Sequence, residues 1–215
     1  MLTLTRYEQS AFVLVSDTAR LAVDFGSYVQ PDNLAMVGHP DAALVSHIHP
    51  DHFNETNLAQ FEAPIYSVQE VATRAQEAGL AVQVAKEGDW VTVGDTGFEV
   101  LFTASNHGPN VGLVENVGFL LKSGGTSVYF LGDMAVSTPA PLAPYDVVLI
   151  PVGGRGYTFD PELAFEHIQK IGWHGLTVPI HYDGSADPDA GLKFAELAKD
   201  ACEVRVMAIG DSLEL

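Results

Sequence analysis

Three histidines and an aspartate fall within six residues in Ser46-His47-Ile48-His49-Pro50-Asp51-His52, a density of metal-ligand side chains that constrains the fold more than any other feature. The run before it, Asp41-Ala42-Ala43-Leu44-Val45-Ser46, has the length and composition of a buried strand, so the polar groups fall where a strand gives way to a loop. Residues two apart on an extended segment point to the same side, which lets His47 and His49 hold one ion. Asp51 and His52 follow the turn at Pro50 and can face a second ion beside the first. Carboxylate and neutral imidazole both suit zinc, manganese or ferrous iron. A histidine-rich surface loop without metal is the competing reading, but it gives four clustered ligand groups nothing to do.

A site for two ions needs further ligands at other strand ends, and the chain supplies them. His107 lies in the turn-rich Ser105-Asn106-His107-Gly108-Pro109, just past the strand-like residues 98–103. Asp133 follows residues 127–131 and a glycine. His181 follows residues 176–180 and opens Tyr182-Asp183-Gly184. One such residue alone is more often structural; three in the same position behind the 47–52 cluster point to a shared site.

In this order the motifs resemble those of the metallo-β-lactamase fold hydrolases over nearly the whole chain. The family's early strand-end aspartate is matched by Asp24 in Leu21-Ala22-Val23-Asp24-Phe25-Gly26, and its HxHxDH motif by residues 47 to 52. The resemblance implies that His47, His49 and His107 hold one divalent ion and that Asp51, His52 and His181 hold another, with Asp133 between them. Zinc is the expected metal, with manganese or iron as alternatives. Residues 147–154 with Tyr157-Thr158-Phe159, a helix and Val178-Pro179-Ile180-His181-Tyr182 look most like the branch of ascorbate-6-phosphate lactonases and N-acyl-phosphatidylethanolamine phospholipase D. Members of that branch act on unrelated substrates, so the match speaks for the metal site more than for the substrate.

Length and charge set further bounds. The 215 residues, 47% of them hydrophobic, suit one domain with a sizeable core, and no linker or low-complexity tract divides them. A net charge of −18 repels polyanions, which counts against nucleic acid and favours a small-molecule substrate. The first residues lack the basic start and apolar run of a signal peptide, and no stretch of about 18 apolar residues suggests a membrane span. The expectation is a cytoplasmic protein, with a homo-oligomer left open. The lone Cys202 cannot form an internal disulfide and is expected to be structural.

Short strands are expected at residues 2–6, 11–15, 19–24, 42–46, 64–68 and 98–103. Helices are expected at 68–78, from Asp160-Pro161-Glu162 to about Ile171, and from Asp187-Pro188-Asp189 to about Lys199, the last two opened by an acid-proline-acid signal. This mixture fits an α/β (α+β) chain folded as a four-layer αββα sandwich of two mixed sheets, in agreement with the family's fold. His39, His167 and His174 fall outside the ligand set and are given surface or turn roles.

The expected chemistry is hydrolysis of a small ester, lactone or phosphodiester by a hydroxide shared between two metals. Asp51 would orient the nucleophile or shuttle its proton, and Asp24 would fix a ligand imidazole. Arg155, among glycines past a strand, and Asn106, beside His107, are candidate substrate contacts. The competing functions are an iron-dependent redox enzyme on the same fold and a metal-binding protein without catalysis.

Overall fold

The computed structural model describes residues 1–184 and 187–215. The chain opens with a hairpin and a third strand, β1 (Thr3–Arg6), β2 (Phe12–Val15) and β3 (Arg20–Val23), and then alternates helix and strand: α1 (Pro31–Val37), β4 (Ala42–Leu44), α2 (Glu55–Phe61), β5 (Ile65–Ser67), α3 (Gln69–Glu77), β6 (Val82–Val84). A second meander follows, β7 (Trp90–Val93), β8 (Phe98–Ala104), β9 (Val117–Ser123) and β10 (Thr126–Phe130). After it come β11 (Val147–Pro151), α4 (Pro161–Lys170), β12 (Leu176–Ile180), α5 (Ala190–Ala198), β13 (Glu203–Val204) and β14 (Ser212–Glu214).

The strands form two seven-stranded sheets, ordered β14-β1-β2-β3-β4-β5-β6 and β13-β12-β11-β10-β9-β8-β7. Each sheet has four antiparallel strands followed by three parallel ones: β3, β4, β5 and β6 run parallel in the first, and β10, β11, β12 and β13 in the second. The two halves thus repeat one plan, except that the last strand, β14, occupies in the first sheet the place that β7 takes in the second.

Period-two alternation in the second sheet separates two cores. Phe119, Leu121, Val128, Phe130, Val147 and Leu149 join the large cluster that lies between the sheets. Their neighbours Leu120, Tyr129, Val148 and Ile150 face the other way and pack with Ala164 and Ile168 of α4 and Phe194 and Ala198 of α5. Continuous apolar runs in β9 to β11 follow from burial on both faces. Phe130 reaches across to the first sheet, with its ring 5.3 Å from that of Phe12 and 5.9 Å from that of Phe119. The result is the expected four layers.

One helix, α4, begins where the sequence signals it. Asp160 accepts from the Leu163 N–H at 2.8 Å, and Pro161 starts α4. Asn54 caps α2 by the same kind of bond from Asn57, at 2.9 Å. The Asp187-Pro188-Asp189 signal is displaced: α5 begins only at Ala190, and its N-cap Asp189 makes no side-chain cap. The Asp187 carboxylate accepts from Lys193 Nζ at 2.6 Å, so it is bound to the first turn of the helix instead of capping it. His167 is also corrected. Along with Ala164 and Ile168 it lies on the sheet-facing side of α4, only 1% exposed, with Nδ1 2.8 Å from Ser137 Oγ. Burial, and then the nearby Lys170, push its pKa down to about 4. His39 and His174 are exposed, and Cys202 is a buried free thiol.

Truncation of the ring that joins the sheets, Phe130→Ala, should cost about 3–5 kcal/mol of unfolding free energy in urea titrations of the metal-free protein. A cost below about 1 kcal/mol would show that this contact does not hold the sheets together.

Candidate metal centre

The direction of the strands explains why distant residues meet. In the second sheet β8, β10 and β12 run the same way, so His107, Asp133 and His181, each just past the end of its strand, emerge at one edge. Asp24 follows β3 and the 47–52 segment follows β4, whose ends lie side by side because those strands are parallel. The two sheets bring these edges together.

Two groups of donor atoms result: His47, His49 and His107, and beside them Asp51, His52, Asp133 and His181. In the first, His49 Nδ1 lies 2.9 Å from His47 Nε2 and 3.1 Å from His107 Nε2. In the second, Asp133 Oδ2 lies 3.2 Å from His52 Nε2 and 3.1 Å from His181 Nε2, and Asp51 Oδ2 is 3.2 Å from His181 Nε2. Ligands 2.0–2.1 Å from a tetrahedral zinc lie about 3.3 Å from one another, so both groups fit a small cation. Orphaned atoms support the fit. His52 Nε2, His181 Nε2 and Asp133 Oδ1 are buried without a hydrogen bond. Ligand atoms gathered this closely and left without protein partners are what a metal site offers.

A buried carboxylate sets the tautomers. Asp24, 0% exposed and with φ +56°, accepts from Ser46 N at 2.7 Å and from Ser46 Oγ at 2.6 Å. It also accepts from His52 Nδ1 at 2.7 Å, which leaves Nε2 of that ring free to face the site. Since the Ser46 hydroxyl proton goes to Asp24, its oxygen is left to accept from His47 Nδ1 at 3.0 Å, and His47 likewise presents Nε2. Ser46 stood in the motif without an assigned role; its adjacency to His47 was the available signal. Glycines bring the loops close. A Cβ on Gly26 would lie 2.1 Å from the Asp51 carbonyl carbon, and one on Gly153 would lie 2.1 Å from the His181 carbonyl oxygen.

Charge divides the cluster. Burial, reinforced by the charge of His52, holds His47 well below the ordinary histidine pKa, and burial also lowers His107. Burial opposes charge on His52 and His181 too, but there the carboxylates win: Asp133, Asp24 and Asp51 raise His52 well above its usual value, and Asp133 with Asp51 hold His181 up at about 9. Against the opposing effect of burial, Asp51 is held down to about 2, chiefly by His52 and His181, and Asp133 lies well below the usual carboxylate range, chiefly through His181 and His52.

A cavity of about 440 Å³ opens over His49, Asp51, His107, Asp133 and His181. Its walls include Arg155 and Tyr157 from the glycine-rich loop, Asn110, Tyr28, and Gln9 and Asp183. Arg155 is exposed and has φ +59°. Asn106 does not line this cavity. Its Oδ1 accepts from the Gly108 N–H at 2.9 Å, and its backbone pairs with Val136, so the structure gives it a turn role. Gln9 and Asn110 escaped the sequence reading because neither adjoins a ligand motif.

A beta-lactamase superfamily domain matches residues 3–181. The chain belongs to the metallo-β-lactamase superfamily. It is similar to a UPF0173 metal-dependent hydrolase of Methanosphaerula palustris, 29% identical over 221 residues that take in 95% of this chain and 96% of the relative. Another metal-dependent hydrolase of that group, from Methanoculleus marisnigri, is 31% identical over 196 residues, 84% of each chain. Igni18, a metallo hydrolase from the hyperthermophilic archaeon Ignicoccus hospitalis, shares the fold at 23% identity, with a TM-score of 0.82 over 100% of this chain and 99% of its own. The protein is thus a metal-dependent hydrolase with candidate His/Asp metal clusters. Among the described residues no helix is long and apolar enough to cross a membrane.

The raised pKa values mean that the metal-free hydrolase carries protons on His52 and His181 at neutral pH, and ligation must expel them. Zinc titrations by calorimetry in buffers of different ionisation enthalpy should show release of about two protons at pH 7, with affinity falling as the pH drops. Heats that do not depend on the buffer would contradict this charge distribution. Asp24→Asn should weaken metal binding about 10–100-fold in competition with a chelating dye, through loss of control over two imidazoles.

Proposed function

We propose that the hydrolase acts on a small ester, lactone or phosphodiester with two divalent ions, one held by His47, His49 and His107 and the other by Asp51, His52 and His181, with Asp133 shared. The observation that carries this reading is a single oxygen. Asp133 Oδ2 lies 3.1 Å from His181 Nε2, 3.2 Å from His52 Nε2, 3.4 Å from His107 Nε2 and 4.0 Å from His47 Nε2, within reach of both groups. Zinc suits the nitrogen-rich first group, and manganese or iron would also suit the oxygen-bearing second.

Bound ions would supply Lewis acidity and an acidified water at neutral pH. Asp51 lines the cavity and keeps part of its surface open, so it touches both the ligand cluster and the substrate space. Its carboxyl, held down to about 2, is a weak base, which favours orienting the nucleophile over storing its proton. Asp24 and Ser46 keep His47 and His52 turned toward the site and touch no substrate. Arg155 has no acidic partner among the described residues and lines the cavity, so its planar guanidinium is available for a carboxylate or phosphate.

Metal analysis of protein loaded in excess zinc or manganese should give two ions per chain, whereas a stoichiometry of one in both would reject the shared-carboxylate reading. On a substrate found in a panel of esters, lactones and phosphodiesters, Asp51→Asn should lose about 10²-fold or more in kcat while still binding product. Full activity in that variant, or equal activity in chelator-stripped protein, would overturn the mechanism. His174→Ala, at an exposed turn, should change neither metal content nor rate.

A further inference from the structure

Gln9 sits in the tight turn between β1 and β2 with φ +54° and is only 8% exposed. Its backbone is fully employed. The Gln9 N–H donates to Asp183 Oδ2 at 2.9 Å, and its carbonyl accepts from the His181 N–H at 2.9 Å. Arg6, buried beneath, also donates to Asp183 and lies over the Tyr182 ring, so the turn and the loop carrying His181 form one unit. The side chain, in contrast, is idle. Its Oε1 is buried without a hydrogen bond among the described residues. Yet Gln9 lines the cavity over the metal-ligand cluster, with Asp51, Asp133 and His181.

A buried amide oxygen without a partner is unfavourable, and an apolar side chain of similar size would avoid that cost. The backbone bonds account for the turn, and any residue unbranched at Cβ could make them. What they leave unexplained is the amide, and its position in the cavity wall supplies a reason. We infer that the Gln9 side chain reads a hydroxyl on the substrate, a reading that rests on hydrolysis taking place in this cavity. An amide accepts at Oε1 and donates at Nε2, and a hydroxyl answers either end. An anion is better served by Arg155, and Asp183 is already occupied by Arg6. Gln9 is thus a specificity-determining residue, selecting hydroxylated substrates over their plain counterparts, because a site built around such a bond loses it entirely with the analogue that lacks it.

The test pairs Gln9→Leu, which keeps size and Cβ geometry, with phenyl acetate, phenyl propionate and the same esters bearing a hydroxyl at the end of the acyl chain. In the metal-loaded wild type at least one hydroxylated ester should have a kcat/KM tenfold or more above its parent, and the advantage should vanish in Gln9→Leu, whose Tm should stay level or rise. No advantage in the wild type, or one that survives the substitution, would overturn the assignment. So would a Tm more than about 3 °C lower, which would mark the amide as structural. If the wild type cleaves none of the four esters, the hydrolase reading fails for esters. The Tm shifts caused by glycolate and 3-hydroxypropionate against acetate and propionate then decide Gln9 on their own: a larger shift from the hydroxy acids, lost in Gln9→Leu, supports it, and equal shifts reject it.

Discussion

Keeping Asp24 and Asp133 almost wholly dry at the rim of a two-sheet core, with Asp51 mostly covered beside them, is the demand that organises the rest of the structure. Anions taken out of water are tolerated only when fully paired, and here the pairing is shared among imidazoles delivered by both sheets. Ser46 and His52 satisfy Asp24, and His52 and His181 face Asp133. Neither sheet could assemble this arrangement alone, since His107, Asp133 and His181 follow strands of the second and the 47–52 segment follows a strand of the first. The packing of the halves and the competence of the site are therefore one problem, which a bound cation completes by replacing protons with a stronger counter-charge.

Much of this was legible in the sequence because ligand chemistry and strand ends leave local marks. The 47–52 cluster, and His107, Asp133 and His181 each behind an apolar run, pointed to one site, and the structure brings all seven side chains together. Strands β1 to β5, β8, β10 and β12 were visible for the same reason: each is an apolar run that stands out between turns. The sandwich followed from that alternation of elements and from the resemblance.

What escaped detection lacks such marks. Strand β6 has two of its three residues exposed, β13 is two residues long and β14 lies mostly at the surface, so no burial pattern announced them. The start of α5 was misplaced because Asp187 satisfies Lys193, a side-chain choice made three-dimensionally. His167 was assigned to the surface on its chemistry, whereas its spacing from Ala164 and Ile168 turned it inward. Asn106 stood next to a ligand and proved to be a turn former, while Gln9 stood 38 positions before the motif and lines the cavity with it. Adjacency along the chain is a poor guide to the walls of a cavity built from loops of two sheets.

The turn at Gln9 separates two duties that usually conflict. Its main chain fixes the loop of His181, a task open to residues unbranched at Cβ that tolerate a positive φ, while the side chain bears none of that load and the residue lines the cavity. Such a position is open to evolutionary drift: substitutions there can retune what the hydrolase accepts while the metal-ligand set keeps its geometry. A lineage of related enzymes could thus diversify in substrate by changing a residue on the opening hairpin, ahead of every motif by which the family is recognised.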